Sequence, residues 1–158
     1  MFALHLHTCN LGTHMRESKN PFTGAVFVVP NDLGRTSLER DAVRALLEEV
    51  GASNPDPDTY CNIAFPDSSS VSVAVGNLYS NGPCTGFALE YDRLTPAVAS
   101  FVHALAVRGN LSIISGVEPT VAALPLFEQR ERVLSRWPGV QVVESALDLE
   151  TWLRQNLR

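Results

Sequence analysis

The stretch TPAVASFVHALAVRGNLSIIS, residues Thr95 to Ser115, decides the fold. Thr95-Pro96 is an N-cap followed by a proline at the first helical position, where a missing N–H costs nothing. Val98, Phe101, Val102, Leu105 and Ala106 then recur at helical spacing and predict one apolar face. Gly109 predicts the stop. Leu-Ser-Ile-Ile-Ser (111–115) follows at once, too short for a helix and rich in β-branched residues, so it reads as a buried strand. A helix joined to an apolar strand by two residues is the unit of an α/β fold.

Downstream the rhythm repeats. Residues 119–136 predict a second helix, with Pro125 marking its first turn or a kink. Pro138-Gly139 breaks the chain, Val140–Glu144 predicts a strand, and Ser145 with Asp148 at N3 caps a last helix whose apolar face is Leu149, Trp152, Leu153 and Leu157. Upstream the period changes to two. Tyr60–Phe65, Ser70–Tyr79 and Thr85–Tyr91 predict an antiparallel meander with a hairpin turn at Asn81-Gly82. Thr36 and Glu39 have capping-box spacing for a helix running to Val50, with Leu38, Ala42, Ala45, Leu46 and Val50 as its stripe and Gly51 as its stop. Between Ser53 and Thr59, two prolines and two aspartates predict an exposed loop. Gly24–Pro30 and Phe2–Cys9 predict two further strands. We therefore expect one α/β domain over residues 1–158. It should hold a mixed sheet of six to seven strands and about four helices, an antiparallel meander first and βαβα units after it, with both sheet faces covered.

Length and composition agree: 158 residues suit one domain, and 45% apolar with 18% charged residues excludes a disordered chain. Net charge is −5, and its distribution is uneven. No lysine or arginine lies between Arg44 and Arg93, while that interval holds Glu48, Glu49, Asp56, Asp58, Asp67, Glu90 and Asp92. Nucleic acid is gripped through Lys and Arg contacts to phosphate, so this segment argues against it and for a basic protein partner. Glu48, Glu49, Asp56, Asp58 and Asp67, with Tyr60, are the expected partner-binding residues. The N-terminal sequence has no basic region before a long apolar run, and no apolar stretch reaches membrane length. The expected location is cytoplasmic. Cys9, Cys61 and Cys84 form no CxxC motif and read as reduced core thiols.

Other chemistry is weaker. His5-x-His7-x-Cys9 would place three metal-capable side chains on one strand face, with His14 nearby. A metal site needs three or four ligands, and the later His103 fits a packed helix face better. A small metal-dependent hydrolase or metal-binding protein is therefore the alternative reading; no metal or cofactor is assigned. Glu90 and Asp92, with Glu118, could form a carboxylate set, but no base or nucleophile accompanies them. There is no GxSxG, no phosphate-binding glycine loop and no catalytic set, so we expect a non-enzymatic protein. A scaffold subunit without a foreign partner is a third class.

Leu94–Ser115, together with Val-Val-Glu-Ser-Ala-Leu-Asp-Leu-Glu-Thr-Trp-Leu (142–153), resembles small cytosolic α/β immunity proteins of bacterial contact-dependent or type VI toxin systems. The resemblance covers the last third of the chain. It lies in a rhythm of helix, Gly-Asn turn, apolar strand and short capped helix. It implies an inhibitor that binds one cognate toxin in a 1:1 complex. A basic nuclease-type toxin would match the acid-only segment.

Overall fold

The computed structural model describes residues 24–30, 38–56, 60–115, 122–126 and 129–157. Strands β1 (Gly24–Pro30), β2 (Ser53–Asp56), β3 (Tyr60–Ala64), β4 (Ser70–Ala74), β5 (Phe87–Tyr91), β6 (Leu111–Ser115), β7 (Ala122–Leu124) and β8 (Gln141–Val142) form one sheet. Its order is β2-β3-β4-β5-β1-β6-β7-β8. Every neighbouring pair is antiparallel except β7 and β8, so the sheet is mixed, with one parallel pair. Helices α1 (Arg40–Glu49), α2 (Pro96–Gly109) and α4 (Ala146–Asn156) are joined by α3 (Arg130–Leu134), a five-residue turn of helix. Among the described residues no helix is long and apolar enough to cross a membrane.

The Thr95–Ser115 unit forms as its sequence predicts. Thr95 Oγ1 accepts the Val98 N–H at 3.3 Å, and the expected apolar residues of α2 are buried. The helix runs through Gly109, and Asn110 closes it in the left-handed region. Gly109 serves a close approach instead. A Cβ there would stand 2.7 Å from Leu111 Cδ1 and 3.0 Å from Val43 Cγ2. Its bare backbone lets α1 reach α2, and the Glu39 N–H donates to its carbonyl. At α4, Ser145 Oγ accepts from the Asp148 N–H and donates to that carboxylate, while Leu149, Trp152 and Leu153 are buried.

Four expectations fail, each for a physical reason. The βαβα units do not form as adjacent parallel strands. β5, α2 and β6 make a parallel crossover, but β1 inserts between the two strands and pairs antiparallel with both. The helix expected over 119–136 is mostly absent from the described residues there. Ala122–Leu124 is a strand, because pairing with Ile113 and Ile114 of β6 overrides the helix preference of Ala and Leu. The predicted loop at Ser53–Thr59 contains the edge strand β2. Pro55 is tolerated there because an edge strand leaves one row of N–H groups unpaired. The hairpin at Asn81-Gly82 is instead a wide loop, since β4 ends at Ala74 and β5 starts at Phe87.

Helix α1 also departs in detail. Glu39 is its N-cap rather than its third residue, and Val43, Leu46 and Leu47 are its buried face, with Ala45 exposed. Its end forms as expected. Gly51, at φ +66°, donates to Glu48 O and Ala52 donates to Leu47 O, the paired bonds of a Schellman cap.

One face of the sheet carries the core. Val26, Val28, Cys61, Ile63, Val71, Val73, Phe87, Leu89 and Ile113 are buried in one cluster with the apolar faces of α1, α2 and α4. A separate small cluster of Ala122, Leu124, Val133 and Val140 packs α3 at the β7–β8 end. Ala123 points into the main core, so strand alternation puts α3 on the opposite sheet face. From β3 across to β1, no described helix covers that opposite face.

Candidate functional site: the acidic half of the sheet

The acidic segment becomes α1, β2, β3, β4 and β5, and the fold divides its carboxylates. Glu49, in the last turn of α1, pairs with Arg108 of α2 at 2.8 Å. That guanidinium holds its carboxyl below the usual range. Thus, among the described residues, a segment free of bases in sequence receives four in space: Arg108 on Glu49, Arg40 on the Asn77, Ser80 and Gly82 carbonyls, Arg44 on the Leu78 carbonyl and Arg93 on the Asp67 carbonyl. Glu48 is exposed and has no ion pair among the described residues. Burial chiefly raises the Tyr79 phenol, and the Glu48 charge adds to it.

Asp67 is built into the scaffold. Its carboxylate accepts the Ser69 N–H at 2.9 Å and the Ser69 hydroxyl at 2.5 Å, which with a Thr95 contact hold it below the usual aspartate range. Ser69 Oγ, almost fully buried, also lies 3.1 Å from Thr95 Oγ1. This chain fastens the β3–β4 turn to the start of α2. Asp67 therefore belongs to the first turn of α2 and Glu49 to its last. With a rise of about 1.5 Å per residue from Thr95 to Arg108, the two acids stand on the order of 20 Å apart. They do not form one patch.

Tyr60 is 38% exposed and opens β3. Asp56 stands opposite it in the β2–β3 register, at the end of β3 away from Asp67. Asp58 lies outside the described residues. So do His5, His7, Cys9, His14 and Glu118, and with them the candidate metal strand and the third carboxylate. Among the described residues, no three His, Cys, Asp or Glu side chains are placed to hold a metal ion. His103 sits on α2 with Nε2 3.1 Å from Val143 O.

The remaining pair divides as well. Asp92 Oδ1 accepts the N–H groups of Ser70 and Arg93, both at 2.8 Å, closing the end of the β4–β5 ladder. Glu90 is exposed on the open face. Burial pushes the Cys61 thiol up to about 11 and raises Cys84 too, so both stay protonated and poor nucleophiles at neutral pH.

Sequence reasoning passed over Phe27, which is 44% exposed in the central strand β1. The register aligns Tyr60, Ala74, Ala88 and Phe27 in one row across four strands. The signal was present in Gly24–Pro30, where the strand's alternation puts Phe27 opposite Val26 and Val28. An unbroken apolar run hides such a residue, because it reads as buried on both faces. Family models, curated proteins and solved structures were compared with the chain, and none matches.

Proposed function

We propose that the protein is an immunity protein that neutralises a cognate bacterial toxin by 1:1 binding in the cytoplasm, the toxin being a basic, nuclease-type protein. The observation that carries this reading is the acid-only run from Arg44 to Arg93, which forms a contiguous half of the sheet. Exposed Glu48, Glu90 and Tyr60 add contact groups there. Glu49 and Asp67 contribute less, since each already has internal partners. Glu48, Glu90 and Tyr60 are the exposed groups of the described residues offered to the toxin, and Asp56 and Asp58 join them on the sequence alone. Acids of this kind chiefly raise the association rate, while desolvated anchors determine how long the complex lasts.

The test is to mix the purified protein with the product of the gene directly upstream and to co-express the two. A stable complex and relief of toxicity are expected; neither occurring refutes the reading. Reversing Asp56 and Asp58 to lysine should slow association at low salt, and an unchanged rate removes those two from the contact.

A further inference from the structure

We infer that the sheet face that no described helix covers, across β3, β4, β5 and β1, is where a basic protein docks, with Phe27 and Tyr60 as apolar anchors and Glu90 as the central charge. This rests on the toxin-binding reading above and names the surface that serves it.

The floor of the face is built of small side chains. Ala74 of β4 and Ala88 of β5 lie between the two aromatic residues, and Ser72 and Ser70 follow along β4 on the same face. The two aromatic residues flank Ala88 and Ala74 in one register row, Phe27 beside Ala88 and Tyr60 beside Ala74, and beyond Phe27 the row continues to the buried Ile114. Exposed aromatic side chains over a small-residue floor match the composition of interface centres. Glu90 lies in the next row, beside Ser72 and Ala25. Ser72 Oγ donates to Asn62 Oδ1 at 2.6 Å in that row, which leaves the Glu90 carboxylate without a hydrogen-bond partner among the described residues. The strands of this face contribute no lysine or arginine. Among the described residues of these strands the charge is therefore the one Glu90 carboxylate, and the complementary surface is an arginine- or lysine-bearing one.

Size and charge together select the occupant. Four strands about 4.8 Å apart and five residues long cover on the order of 300 Å². Two copies meeting through this face alone would bury well below the ~1,200–2,000 Å² of a specific interface. A second copy would also bring both Glu90 carboxylates into one interface, whereas a basic partner complements that charge and can extend over the rim at β2, where Asp56 stands opposite Tyr60. Strand addition at β2 is discouraged by Pro55, which offers no N–H.

The test uses the full chain and the purified product of the upstream gene in a binding titration. Phe27→Ala, Tyr60→Ala and Glu90→Lys should each weaken binding about tenfold or more. Leu147→Ala, an exposed apolar residue on α4, should change it less than about twofold. Melting curves establish that each variant is folded. If the parent binds and the three face variants bind equally well, the face is overturned while the immunity reading stands. If the parent does not bind, both fall. If sedimentation shows a dimer that Phe27→Ala dissolves, a second copy occupies the face and the proposal is wrong.

Discussion

The two faces of the sheet are made of the same strands and do opposite things. Val26, Val28, Ile63, Val71, Val73 and Leu89 point one way into α1, α2 and α4 and are at most 1% exposed. Their immediate neighbours Ala25, Phe27, Asn62, Ser70 and Glu90 point the other way and meet no described helix. One-residue alternation thus separates stability from recognition. A substitution's consequence should depend on its parity in the strand more than on its position along the chain.

The largest test of that contrast is Leu89→Ala, inside the central strand β5. It should cost about 2–5 kcal/mol by chemical denaturation, because it leaves a cavity against the helices. A loss below 1 kcal/mol would mean that the covered face is loosely packed. Val133→Ala strikes the small α3 cluster, which buries far fewer side chains. It should cost roughly 1–2 kcal/mol and raise hydrogen exchange only around β7, α3 and β8. Global loosening would make the two clusters one core. Thr95→Ala removes the α2 cap and its link to Ser69, at about 1 kcal/mol.

Asp67→Asn should cost less than the cap, since the carboxylate is exposed, and its effect carries a sign in pH. The native carboxyl titrates below its unfolded value near 4. Its contribution is therefore complete above that value and is lost as pH falls through the native one. The gap in melting temperature between the parent and Asp67→Asn should close below about pH 4. A gap that persists there would assign the effect to shape rather than charge. Smallest of all, Phe27→Ala should change stability by less than about 1 kcal/mol, despite removing an aromatic ring from the sheet's middle. A large loss would show that its face is internal after all.

The legible parts of this fold were those with local chemistry. Thr95-Pro96, Ser145 with Asp148, and Gly51 each announce a helix end because the capping groups lie within a few residues of the bonds they make. β7 was not legible, since Ala122-Ala123-Leu124 has helix-favouring composition and becomes a strand only by pairing with β6. β2 was hidden by Pro55, which an edge position alone excuses. The site suffered more. The acids adjoin in sequence, but register and the length of α2 carry Glu49 and Asp67 to opposite ends of a helix. Arg108 approaches Glu49 from a distant segment. Charge runs are written locally, whereas patches are made by topology.

The place of β1 between β5 and β6 has a consequence during synthesis. Val26 leaves the ribosome well before its partners Leu89 and Ser115 are made. At about 5–20 residues per second, the strand that becomes the sheet's centre waits several seconds with both edges unpaired. Contacts so distant along the chain also slow refolding. A nascent chain arrested before Ser115 should therefore lack protease resistance in β1, and gain it only once that residue has emerged.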